Sequence, residues 1–166
     1  MGRVIAKRDI GRELTLWAFA KEAWDKARVE SLCLSLQDEH GQSPPLLIWR
    51  LWALRERRPL DIGVIENAVA AARRWENAVV RPLRSARLAT ATGLPVVSAK
   101  SRSKLRDSLR AVELEAERAL LDALEAITPP PDGRRDDGLS ALLELCAIWG
   151  SPAPMQDLRQ LHAAME

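Results

Sequence analysis

The segment Ser43-Pro-Pro45 followed by Leu46-Leu-Ile-Trp-Arg-Leu-Trp-Ala-Leu54 constrains this chain more than any other. A hydroxyl residue with proline directly behind it reads as a helix start, because proline lacks an N–H that the first turn leaves unpaired anyway. The helix that follows is apolar nearly all round, with Arg50 as its one charged residue. It has no face to offer water, so neighbours must cover it on every side. Arg55, Arg57, Arg58 and Pro59 mark its end. The stretch is also far too short to cross a bilayer.

The rest of the chain supplies helices to cover it. Leu16, Phe19, Ala20, Ala23, Trp24 and Ala27 recur at helical spacing and predict a helix over 13–28. Leu32, Cys33 and Leu36 predict a second over 29–39, stopped by Gly41. Asp61 caps a long helix over 62–90 with Val64, Ile65, Ala68, Ala72, Trp75 and Val79 inward; Pro82 predicts a kink in it. Gly93-Leu-Pro95 breaks the chain, and Ser98 to Lys104 follows as a loop or helix start. Leu105, Leu109, Val112, Ala116, Ala119, Ala123 and Ala126 then alternate at intervals of four and three, a seam suited to shallow helix packing.

Pro129, Pro130 and Pro131 end that helix, and two short ones are expected over 139–149 and 154–165. With no tyrosine and one phenylalanine in 166 residues, against six tryptophans, the chain is short of the side chains that strands recruit. The expected fold is all-α: a single-domain helical bundle of about six or seven helices over 1–166. Its core is placed in 13–127, followed by a Pro-rich loop at 128–138 and a C-terminal helical pair at 139–166. The first, fourth and fifth helices are expected to wrap the central one.

A net charge of +2 hides a polarised chain. Residues 81–110 carry eight basic side chains against Asp107, whereas residues 111–166 carry four basic and 11 acidic ones. Short links bring consecutive helices together, so these segments are expected to neutralise one another. Arg81, Arg84 and Arg87 lie three apart, and Glu113 and Glu117 lie one turn apart beside Leu109. The polar cluster expected from this pairing is Arg81, Arg84, Arg87, Glu113, Glu117 and Arg118. Asp38 belongs with it, at the unfavourable C-terminal end of its helix dipole and expected to brace the next helix.

Chemistry finds little support in these residues. Ser101-Arg-Ser-Lys104 has the Ser-x-x-Lys spacing without the companion elements of the enzymes that use it, and Ser101 or Ser103 reads as a helix cap. Cys33 and His40 are two turns apart, beyond proton-transfer reach. Two cysteines and two histidines without ligand spacing make neither a zinc site nor a disulfide framework. No cofactor and no metal is expected. Trp24, Trp52 and Trp75 read as core, with Trp49 or Trp17 as the exposed exception. The start, Met1 to Asp9, lacks the apolar stretch of a signal peptide, Gly2 lacks the myristoylation context, and a cytoplasmic protein is expected.

Leu16-Trp-Ala-Phe19, Cys33-Leu-Ser-Leu-Gln-Asp38 with Gly41, Leu46-Leu-Ile-Trp49 with Leu51-Trp52, Trp75 to Arg87, and Glu113-Leu-Glu-Ala-Glu-Arg118 are in matching order with the hallmark segments of one family. In these segments the chain resembles a proteobacterial family of small uncharacterised cytosolic proteins, a domain of unknown function, over roughly residues 13–125. Ser43-Pro-Pro45 departs from that family's Asp-Val-Asn-like segment. The resemblance implies a helical architecture and supplies no activity. The leading expectation is therefore a non-enzymatic protein–protein interaction or regulatory module, with another protein as partner and homo-oligomers left open. The alternatives are an RNA- or ribosome-associated protein using 81–110 on phosphate, and an anion-binding sensor or enzyme using Arg84 and Arg87.

Overall fold

The computed structural model describes residues 13–92 and 96–166. The readings made on Met1 to Asp9 and on Gly93-Leu-Pro95 lie outside the described residues. Eight α-helices follow in order: α1 Leu16–Trp24, α2 Ala27–His40, α3 Pro44–Arg55, α4 Ile62–Trp75, α5 Arg81–Ala91, α6 Ala99–Ala126, α7 Gly138–Trp149 and α8 Met155–Met165. A wide π-helical turn, Glu76–Val80, joins α4 to α5 without a break. Counting that run as one rod gives seven helices, with no strand among the described residues. The all-α bundle is the fold of this chain.

Local chemistry sets the boundaries. Thr15 Oγ1 accepts from the Ala18 amide and starts α1. α1 stops at Trp24, short of the expected 28. The chain turns at Asp25-Lys26, and Lys26 Nζ donates to the Ala164 carbonyl in α8 at 2.9 Å. Gly41 ends α2 at φ +61°, where its amide reaches the Gln37 carbonyl and the next amide reaches Leu36. Only glycine adopts that left-handed backbone at little cost. Asp61 caps α4 through the Val64 amide as expected, but the cap of α6 is Ser98 rather than Ser101 or Ser103. Ser43 precedes α3 without capping it; its hydroxyl instead donates to the Glu76 carboxylate.

α3 is the centre. Every residue from Pro44 to Ala53 is buried, Arg50 included. α1, α2, α4, α6 and α7 all pack on it, so the cage is wider than three helices. The terminal pair belongs to that core. Leu142, Leu145, Cys146 and Trp149 of α7 join Leu158, Leu161 and Met165 of α8 in the same cluster as the α3 side chains. Arg50 lies between α3 and α7, with Nε 3.4 Å from the Ala141 carbonyl and a terminal nitrogen 3.5 Å from Glu144.

Two expectations about burial are corrected. Trp49, offered as an exposed exception, is fully buried and donates its indole N–H to Thr128 at 2.8 Å. None of the six tryptophans is exposed, Trp17 included. The seam of α6 is also rotated from the expected one. Its buried positions are Glu113, Ala116, Leu120, Leu121 and Leu124, while Leu105, Val112, Ala119, Ala123 and Ala126 face outward. A carboxylate therefore occupies a core position of this helix.

Candidate functional site

Pro82 explains how the polar cluster is built. In a regular helix its ring crowds the Ala78 carbonyl, and it has no N–H to offer that oxygen. The chain answers with the wide turn, in which the Arg81 amide reaches back five residues to the Glu76 carbonyl. One extra residue in a turn advances the inward face by one position. The stripe Ile65, Ala68, Val69, Ala72 thus continues as Val80, Arg84 and Arg87. That shift turns two guanidinium groups toward α6.

On α6 they meet Glu113, which is only 7 % exposed. Arg84 Nε donates to Glu113 Oε1 at 2.9 Å, and Arg87 Nε donates to Glu113 Oε2 at 2.6 Å. A terminal nitrogen of Arg84 lies 3.7 Å from Glu117. With the Gln37 amide oriented to match its neighbours, its oxygen accepts from Arg84 at 2.9 and 3.2 Å. Trp75 completes the junction by donating its indole N–H to the Ala116 carbonyl at 2.8 Å. Burial alone pushes the Glu113 carboxyl up, but the hydrogen bonds from Arg87 and Arg84 outweigh it and hold the group below the usual carboxylate range.

The structure brings only part of the expected cluster together. Arg118 lies elsewhere, its guanidinium 5.1 Å above the ring of Trp17. Asp38 makes no hydrogen bond or ion pair among the described residues, so it does not brace the next helix. Asp38 and Arg81 instead line a crevice of about 250 Å³ together with Gln37, Gln42, Glu76, Arg84 and Glu117. Glu76 and Gln42 were missed from the sequence. Glu76 contacts Ser43 across 33 positions, and Gln42 donates to the Ser151 carbonyl across 109, separations at which no local pattern signals a partner.

Burial raises the carboxyl groups of Glu76 and Glu117, each against the pull of nearby arginines. A carboxyl raised in the folded state holds its proton more tightly than in the unfolded chain. The stability linked to it is full below the ordinary carboxylate range and is lost as pH rises through the raised value. Glu76→Gln keeps an acceptor for Ser43 and removes that loss. The variant is expected to melt higher than the native chain near about pH 8, with the gap closing toward about pH 4. A gap that does not change between those pH values contradicts the assignment. Glu113 has the opposite sign: its contribution is present above the ordinary range and lost as acid takes pH through its lowered value.

The crevice holds no nucleophile. The Cys33 thiol is pushed up to about 12 and Cys146 to about 11 by burial, so both stay protonated. No group of three or more potential metal ligands occurs among the described residues. Glu113 occupies the Nε of both Arg84 and Arg87, while Arg84 also lines the crevice. That carboxylate gives the two arginines the internal partner expected from the charge pattern.

Comparison with known proteins places the chain without naming an activity. No curated protein and no solved structure matches it. One family model, described as "Protein of unknown function (DUF2390)", matches residues 15–124, from the cap of α1 to near the end of α6. That match spans well over half of the chain and all the parts of the Arg–Glu junction, and the protein belongs to this family.

Proposed function

We propose that the protein is a non-enzymatic interaction module that docks a helix of a protein partner along the outer face of α6. The observation that carries this reading is the open stripe on that helix. Leu105 is 53 % and Val112 51 % exposed, and Ala119, Ala123 and Ala126 continue the line outward. From Leu105 to Ala126 the stripe runs for about 32 Å along a helix of 28 residues. Contiguous exposed apolar surface on a helix marks an interaction face more often than a solvated one. The two buried free cysteines support a reducing compartment, the cytoplasm, as its location.

A second reading has its own observation. Lys100, Lys104, Arg106 and Arg110 form no ion pair among the described residues, which leaves a basic end on α6 for RNA phosphate. Salt separates the two, because phosphate binding is driven by counterion release, which gains less as the salt concentration rises. The experiment immobilises the protein and recovers partners from bacterial lysate at about 50 and about 500 mM salt. Protein retained at high salt and lost with Leu105→Lys and Val112→Lys supports docking. Nucleic acid released by salt and indifferent to those substitutions overturns it in favour of the phosphate reading.

A further inference from the structure

We infer that the partner on this face is a second copy of the same chain, its α6 laid antiparallel against the first. The inference rests on the docking face proposed above and adds the identity and direction of its occupant. Three features of α6 point the same way: period, size and charge.

The period is that of a two-helix seam. Leu105, Val112, Ala119 and Ala126 are spaced by sevens, and Leu109, Ala116 and Ala123 interleave with them. This 3.5-residue repeat keeps one stripe facing a partner helix along its whole length. Within one chain the repeat is left mostly unused. Ala116 is buried and Leu109 half-buried, while the other five positions are exposed from one end of the helix to the other.

Size gives the direction. The large residues of the seam, Leu105, Leu109 and Val112, fill its first half, and the second half is alanine throughout. Parallel pairing sets leucine on leucine at one end and alanine on alanine at the other, where little is buried. Antiparallel pairing centred near Val112 sets Leu105 of one copy beside Ala119 and Ala123 of the other. Large residues then fill the space that small ones leave, at both ends alike.

Charge gives the same direction. Residues 99–112 carry Lys100, Arg102, Lys104, Arg106 and Arg110 against Asp107, a balance of +4. Residues 113–126 carry Glu113, Glu115, Glu117, Asp122 and Glu125 against Arg118, a balance of −4. Glu113 and Glu117 are engaged by Arg84, and Glu125 accepts from the Leu16 amide. Glu115 and Asp122 stay exposed, on the same edge of the stripe as Lys104. Turning the second helix end for end brings Lys104 opposite Asp122 twice, related by the twofold axis. A parallel pair would place like charges side by side, which disfavours it.

The test is the full chain in solution, by light scattering and by engineered disulfides. Cys33 and Cys146 are buried, so an introduced thiol reports alone. The native chain is expected to have the mass of a dimer, and Val112→Lys to raise its dissociation constant by at least roughly tenfold while leaving circular dichroism unchanged. Val112→Cys is expected to form a disulfide-linked dimer under mild oxidation. Leu105→Cys is expected to cross-link to Ala119→Cys and not to itself. Lys104→Glu and Asp122→Lys should each weaken the dimer and together restore it. Self-linking of Leu105→Cys overturns the antiparallel arrangement. A monomeric native chain that still retains another protein through Leu105 and Val112 overturns the self-pairing and leaves the docking reading. Indifference of both mass and partner retention to Val112→Lys overturns the two together.

Discussion

Trp52→Ala is expected to destabilise the protein by about 3–5 kcal/mol. The indole is fully buried in α3, the helix on which α1, α2, α4, α6 and α7 pack. Its N–H donates to the Leu14 carbonyl at 2.6 Å, which ties the segment leading into α1 to the centre of the bundle. The Arg58 guanidinium lies 4.7 Å from the centre of the ring. Truncation leaves a cavity in a close-packed interior, frees a carbonyl from its partner and removes a surface that a cation covers. Equilibrium urea unfolding measures the loss. A change below about 1 kcal/mol would mean that α3 is not the centre of the packing.

Glu113→Ala is the second large effect, with an expected cost of about 2–4 kcal/mol. The carboxylate is nearly buried and accepts from both Arg84 and Arg87, so its removal leaves two guanidinium groups facing a hole at the α5–α6 junction. Those arginines are each 29 % exposed and regain some hydration, which keeps the cost below that of a fully buried pair. Replacing all three with apolar residues of similar volume, as Glu113→Leu with Arg84→Met and Arg87→Met, is expected to recover most of the stability. An apolar core serves as well as an ion pair once no charge is stranded. A triple variant as unstable as Glu113→Ala alone would count against this account.

Much of the fold is legible in the sequence, for reasons that particular segments make plain. The apolar run after Ser43-Pro-Pro45 had to be central because, Arg50 apart, it has no side chain to turn toward water. Gly41 and Asp61 end and begin helices by backbone chemistry that acts within a few residues, which is why their positions hold. What misled was the regular seam of α6. Periodicity identifies an apolar stripe, but not whether the stripe meets the same chain. The inner face instead contains Glu113, and a carboxylate reads as a core residue only once Arg84 and Arg87 are seen beside it. Their placement depends on the wide turn before Pro82, where a simple kink was the expectation. The break at Asp25-Lys26 and the membership of α7 and α8 in the core share a feature: each comes with contacts more than a hundred positions away, which no local pattern reveals.

The Arg–Glu junction also gives α6 its two-sided character. Its inner face is closed by Glu113 and the leucines of the second half, and its outer face keeps the heptad stripe. Arginines drawn inward at the base of the hairpin leave the remaining basic residues toward its far end. The apparent polarity of the chain is thus divided between a structural pairing and a surface charge.

A double-mutant cycle on Arg84 and Glu113 decides whether the two side chains act as one pair in the α5–α6 junction. Arg84→Ala, Glu113→Ala and the combined variant are measured against the native chain by urea unfolding at near-neutral pH and moderate salt. The two losses are expected to overlap, with a coupling of about 1–3 kcal/mol between residues that share one hydrogen-bonded network. Losses that simply add would mean that the guanidinium and the carboxylate act independently, and the internal pairing that turns α6 into a docking helix would be contradicted.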